Sequence, residues 1–214
     1  MDAVFDNLDV FAEGFWQTLK LTLISGVLSL LLGTLLAAMR VAPAAPVRGA
    51  GTAYVEVVRN TPLTIVFFFS VFVLPQLDVG LSFFQFAVIA MSVYHAAFFC
   101  EAVRSGINSV GVGQAEAARS IGLTFTQTLR HVVLPQAFRT VVPPLINVFI
   151  ALTKNTSIAS AFAIAELTAV GTRLANETGR PISILLGTAV CYLVLTIPSG
   201  LIAGAVETRV AVAR

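Results

Sequence analysis

Charge is what this sequence lacks most. Only 11% of its 214 residues are Asp, Glu, Lys or Arg, where a soluble domain carries roughly 25%. Most of the surface therefore does not face water. The formal net charge of +2 says little by itself, and no nucleic-acid partner is expected. Cysteine is scarce too. Cys100 and Cys191 lie inside apolar runs without CxxC spacing, so they read as small packing residues and give no support for a disulfide or metal site. The two histidines, His95 and His131, have no partner at metal-ligand spacing and read as structural. No HExxH, no nucleophile–base spacing and no G-x-x-x-x-G-K-[ST] phosphate loop occurs. No catalytic residue, metal or cofactor on this chain is expected. The N-terminus, "MDAVFDNLDVFAEGFW", is acidic where a signal peptide would be basic, so cleavage is not expected.

What the chain has is apolar length, with a mean hydropathy of +0.90. Uncharged runs cover Leu21–Met39, Asn60–Leu77, Val79–Cys100, Thr140–Thr153 with its continuation past Lys154, and Pro181–Val206. A bilayer-spanning helix needs about 20 mostly apolar residues. The reading is an all-α integral membrane protein, one domain over 1–214, with five transmembrane helices near 14–39, 54–77, 80–102, 140–165 and 181–206. Arg40, Arg48, Arg59, Arg104, Arg119, Arg130, Arg139, Arg209 and Arg214 fall on one side, against Arg173 and Arg180 on the other, with Lys20 near that side's end of the first helix. The positive-inside bias then predicts a multi-pass plasma- or inner-membrane protein, N-terminus outside and C-terminus cytoplasmic.

Two helices carry polar interruptions. In the second, "LTIVFFFSVFVL" is too short to span, so the helix is expected to start near Tyr54 and draw Glu56, Arg59, Asn60, Thr61 and Pro62 toward the membrane. In the fourth, "LTKNTSIAS" places Lys154, Asn155, Thr156 and Ser157 in an apolar run. A start near Pro143 puts Lys154 close to mid-membrane. A lysine there costs about 2.5–3.5 kcal/mol on insertion scales, and such a group marks a functional site by default. The alternative is a structural role, an ion pair with Glu56 or a neighbouring subunit or snorkelling toward an interface, and sequence leaves both open. "RNTPLT" and "KNTSIA" resemble each other and are expected at similar depth. Arg59 with Glu56, and Glu101 with Arg104, read as local ion pairs. "GLIAG" in the last helix is a GxxxG match that arises easily in so glycine- and alanine-rich a chain.

One large polar island, roughly 104–138, separates the third and fourth helices. "QAEAARS" reads as a short helix closed at Gly122, and "TFTQ" fits a capping box starting a second one at Thr124 that Pro135 limits. A loop this long with helices of its own reads as a binding surface. The spacing E-A-A, three residues, Gly, nine residues, then "VVLP" resembles the EAA loop of ABC importer permeases. Glu116, Ala117, Ala118, Gly122, Leu134 and Pro135 match it, and Val132 replaces an isoleucine. With "RNTPL", "LPQAFR" and "LTKNTSIAS", nearly the whole chain is similar to permeases of the polar amino-acid uptake family, most of all to actinobacterial glutamate permeases.

The resemblance implies a non-catalytic translocation subunit. It also implies a second permease, identical or homologous, two cytoplasmic ATPases that hold ATP and Mg, and an external solute-binding protein. Glu116, Ala117, Ala118, Arg119 and Gly122 would couple to the ATPases. Asn60, Thr61, Pro62, Lys154, Asn155, Thr156 and Ser157 would line the substrate pathway, with glutamate the expected substrate. The competing class is an ATPase-independent amino-acid channel or secondary transporter, which gives no reason for the EAA loop.

Overall fold

The computed structural model describes residues 2–211; Arg214, counted above in the charge bias, lies outside them. Within the described residues the chain is helical, with no strand. A short α1 (Asp2–Phe5) leads into α2 (Leu8–Arg40). Then follow α3 (Ala45–Arg59), α4 (Leu63–Phe68) with a π turn and a 3-10 turn to Leu77, and α5 (Phe83–Asn108). The polar island holds α6 (Val112–Ser120) and α7 (Phe125–Thr128). A π turn joins α7 to α8 (Leu134–Asn155), a 3-10 segment runs Thr156–Phe162, and α9 (Leu167–Thr178) and α10 (Pro181–Ala211) complete the chain. Four helical stretches are long and apolar enough to cross a membrane, and α3 with α4 gives a fifth if the bent pair counts as one.

Helix α5 is the axis of the bundle. Its Ala87, Ala90, Met91, Ala96, Ala97 and Cys100 are fully buried, and the small ones let neighbouring backbones come close. Against it, α2 crosses at Gly33, where a Cβ would stand 2.6 Å from Phe99 Cβ and 2.8 Å from the Ala96 carbonyl oxygen. Helix α10 instead turns Leu185, Leu186, Val190, Leu193, Val194 and Ile197 outward. With no water-facing complement, that surface suits lipid or another membrane helix. In "GLIAG", Gly200 only grazes Ile150 and Gly204 meets nothing within 4 Å, so this motif does not serve packing inside the chain.

Two helices differ from the sequence expectation. The second is helical from Ala45, and at residues 60–62 its two halves meet at 104°. Pro62 explains the break, since it has no N–H to continue the ladder. Asn60 and Thr61 close α3 by donating to the Glu56 and Val57 carbonyls at 2.7 and 2.8 Å. The fourth helix is longer than expected. A helical path runs from Phe125 to Phe162 over 38 residues, straight through Pro135, Pro143 and Pro144. A π turn at Leu129–Val133, directly before Pro135, widens the backbone where proline cannot donate. The capping box forms: Thr124 N–H donates to Gln127 Oε1 at 2.9 Å, and Gln127 N–H to Thr124 Oγ1 at 3.3 Å. It therefore starts the long fourth helix, and the island outside the long helices contracts to the residues around α6.

Candidate functional site

The fourth helix changes character at "LTKNTSIAS". Regular α-helix ends at Asn155 and a 3-10 segment takes over. The change leaves carbonyls without their usual i+4 donors, and hydroxyls take up the slack. Thr156 Oγ1 donates to the Thr153 carbonyl at 2.7 Å, Ser157 Oγ to Lys154 at 2.8 Å and Ser160 Oγ to Ser157 at 2.7 Å, while Thr153 Oγ1 donates to Phe149 at 2.9 Å inside the regular helix. Thr156 is fully buried. Much of the polarity here thus serves the backbone.

Two side chains in the segment do not. Lys154 is exposed on this chain, and among the described residues the ion pairs are Arg40–Glu101, Arg59–Glu101 and Arg173–Glu177. The suggested pairing of Lys154 with Glu56 does not form. Asn155 reaches across to α5, its Nδ2 3.1 Å from Nε2 of His95, while His95 Nδ1 lies 2.9 Å from the Met91 carbonyl oxygen. His95 stands midway along the 26-residue α5, so the Lys154 segment sits at the middle of the bundle. Sequence reading took this histidine as merely structural. Its link to Asn155 spans 60 positions and leaves no local signal.

The two interrupted helices pack on each other. Leu63, the first residue of α4, shares a core with Leu152, and Phe67 stacks on Phe162 with centroids 5.1 Å apart. Asn60 and Pro62 are exposed and Thr61 half-buried. Their side chains make no hydrogen bond to the Lys154 segment among the described residues; Asn60 and Thr61 cap their own helix. Arg59 is positioned differently from expectation. Its guanidinium lies 3.8 Å from Glu101 and 5.7 Å from the Phe98 ring centroid. Arg40 also pairs with Glu101, so one carboxylate joins α2, α3 and α5, and neither Glu56–Arg59 nor Glu101–Arg104 forms. Phe98 and Glu101 follow His95 along α5, so the Arg59 guanidinium lies toward the α6 end relative to His95.

Sequence reading also missed a buried knot at the start of α9. Glu166, fully enclosed, accepts from Thr168 and Ala169 N–H at 2.9 and 2.8 Å and from Tyr192 Oη at 2.6 Å. Thr18 Oγ1 accepts from Leu167 N–H at 3.0 Å. Burial pushes the Glu166 carboxyl above the usual range, opposed by these donors. At the opposite end of the bundle, α6 presents Glu116, Ala117 and Arg119 outward and buries Ala118. Gly122 has φ +91°, which suits glycine, and its N–H donates to the Arg119 carbonyl at 2.9 Å. Exposed Ile121, Phe125 and Phe138 give this end apolar contact area.

A family profile described as "Binding-protein-dependent transport system inner membrane component" matches residues 29–212. The chain belongs to this family. It is 42% identical over 212 residues to the glutamate transport system permease protein GluC of Corynebacterium efficiens, covering 92% of each chain. To the probable glutamine ABC transporter permease GlnM of Bacillus subtilis it is 40% identical over 206 residues, 96% of this chain and 95% of that one. A solved amino acid ABC transporter with histidines superposes with a TM-score of 0.89 at 30% identity, covering 96% of both chains. The methionine transporter MetNI, facing inward, shares the fold at a TM-score of 0.76 and 22% identity. The chain is thus a non-catalytic inner-membrane permease subunit that works with separate ATPase and binding-protein partners, and nothing in these comparisons supports an ATPase-independent channel.

Proposed function

We propose that this permease imports a polar amino acid, glutamate foremost, with its N-terminus outside and its C-terminus in the cytoplasm. It would pair with a second permease, identical or related, and sit on two ATPases that bind ATP and Mg. Glu116, Ala117, Arg119 and Gly122 form the docking face toward the ATPases, consistent with the outward side of α6, and Ala118 seats that helix on its own chain. Closure of the ATPases would press on α6. Because α7 continues into the long fourth helix without a loop, the push would reach the Lys154 segment along one helical path.

Asn60, Thr61, Pro62, Lys154, Asn155 and Ser157 form the pathway lining in this reading, with the fully buried Thr156 behind it. Lys154 and Asn155 face the solute, and Thr156 and Ser157 hold the backbone break open. The observation that carries the proposal is Lys154: an ammonium at mid-bundle without a carboxylate partner among the described residues. Such a charge is costly in a membrane unless water or a ligand meets it, and a substrate carboxylate supplies the complement. The glutamate and glutamine relatives support the same substrate class. Arg59, committed to Glu101, is not counted as a second cation for the substrate.

The test is reconstitution of the complex with its binding protein, and measurement of ATPase stimulation by glutamate, glutamine, arginine and histidine. Glutamate is expected to stimulate most, and Lys154→Met to abolish the stimulation while leaving basal hydrolysis. Equal or greater stimulation by arginine overturns the substrate assignment. Full stimulation in Lys154→Met overturns the pathway.

A further inference from the structure

We infer that His95 is a positioning residue: it holds the Asn155 carboxamide with its carbonyl oxygen turned to the pathway, where that oxygen accepts the α-ammonium of the transported amino acid. The inference rests on the proposed pathway and deepens it.

The argument starts at the Met91 carbonyl, which can only accept a hydrogen bond. His95 Nδ1, 2.9 Å away, must therefore carry the proton. In the neutral ring this leaves Nε2 as an acceptor with one lone pair. Asn155 is the group that meets it, at 3.1 Å, and only the amide NH2 can donate. The flip of the carboxamide, ordinarily ambiguous, is thus set by the histidine. Being only 2% exposed, His95 has no water to offer an alternative partner.

The other end of the amide follows. With one Nδ2–H given to His95, Oδ1 is fixed on the other side of the amide; it makes no hydrogen bond among the described residues, yet it is not among the sealed, unpartnered atoms. Asn155 is half-buried, so its oxygen opens beyond the packed interior. The preceding residue is exposed Lys154. Consecutive positions at the end of α8 thus offer one cation and one neutral acceptor. An α-amino acid carries the complement, a carboxylate for Lys154 and an ammonium for Asn155. If the ring carried a second proton, Nε2–H would demand the oxygen, and the site would present NH2, which an ammonium cannot use. The neutral ring in its Nδ1–H form therefore makes the site selective for an amine.

The experiment uses the purified permease–ATPase complex in lipid nanodiscs without binding protein, titrated with L-glutamate and with 2-oxoglutarate, which lacks the ammonium. The wild type is expected to prefer glutamate at least about tenfold, the worth of one charge-assisted hydrogen bond. His95→Phe, which keeps a ring but frees the carboxamide, should bring the ratio near one. Asn155→Ala, which leaves His95 in place, should do the same, and the double variant should lose no more than either single. A merely packing role predicts something else: both compounds weaken by the same factor in His95→Phe and the ratio survives. That result, or an unchanged ratio in Asn155→Ala, overturns the inference. Undiminished binding of both compounds in Lys154→Met overturns the pathway reading instead, and no saturable binding in the wild type overturns both.

Discussion

Glu101→Gln perturbs the one carboxylate that ties Arg40 of α2 and Arg59 of α3 to α5. The two pairs differ in environment, which fixes the expected magnitudes. The Arg40 side chain is 8% exposed and Glu101 28%. Removing one partner of a buried pair costs about 3–5 kcal/mol, because the remaining charge stays buried. Partial exposure of Glu101 and the acceptor oxygen kept by glutamine lower this to about 2–3 kcal/mol. Arg59 is 42% exposed and 3.8 Å away, so its share is that of a surface pair, under about 1 kcal/mol. For a chain of this size 1 kcal/mol moves Tm by about 2–4 °C, so Glu101→Gln should lower it by about 4–12 °C. Arg59→Gln should lower it by less than about 4 °C. The assay is thermal unfolding of the solubilised complex at fixed detergent. A joint Arg40→Met/Glu101→Leu variant should recover most of the loss, since an apolar pair removes both charges at once. Equal losses in Glu101→Gln and Arg59→Gln, or no recovery in the joint variant, would refute the assignment of the burden to Arg40.

Gly33→Ala should destabilise the permease by about 1–3 kcal/mol, because the new methyl meets backbone atoms of α5 that cannot rotate away. Gly49→Ala in α3, where a Cβ meets nothing within 4 Å, should instead be neutral or stabilising by up to about 1 kcal/mol; paired melting curves check both. Glu166→Ala removes the cap of α9 and leaves Tyr192 Oη without its carboxylate, at a cost of about 2–4 kcal/mol. Amide hydrogen exchange should rise first in α9, and uniform protection there would count against the cap. Gly122→Val forces a β-branched residue to φ +91° at a cost of roughly 1–2 kcal/mol. Its effect should appear as weaker ATPase co-purification, beside a Tm of the isolated permease lower by about 2–8 °C.

Features legible in the sequence were those written in local spacing. The uncharged runs gave the spans, the E-A-A spacing with Gly122 gave α6 and its closure, and "TFTQ" gave a capping box that forms. What escaped it was pairing across helices. Arg59 was matched to Glu56 and Glu101 to Arg104 because i, i+3 neighbours are what spacing offers. The observed partner of Arg40 is Glu101, 61 positions away, and that of Leu167 N–H is Thr18, 149 away. Pro135 is expected to limit its helix, and the helix runs past it. Pro62, beside two capping side chains, breaks a helix by 104°, whereas Pro135 follows a π turn and the helix continues. The difference lies in whether the preceding turn can widen, and composition does not record that.

The interruption in the fourth helix shows how a polar cluster in an apolar chain is to be read. Counting polar residues overstates the site, because a helix that changes pitch needs hydroxyls of its own. Thr153, Thr156, Ser157 and Ser160 each donate to a carbonyl three or four residues back, and replacing them would disturb the break before any chemistry. One N–H of the Asn155 amide is likewise spent, on His95. Subtracting every group that answers a demand of the fold leaves the Lys154 ammonium and the Asn155 carbonyl oxygen. Neither has a partner among the described residues, and in a bundle this apolar neither is there for solubility. In "RNTPLT" the same subtraction leaves much less: Asn60 and Thr61 cap α3, Arg59 joins Glu101, and Pro62 has nothing to donate. The two motifs look alike as strings and differ in what they leave over, and that remainder is why the proposed solute contact falls on the fourth helix and not on the second.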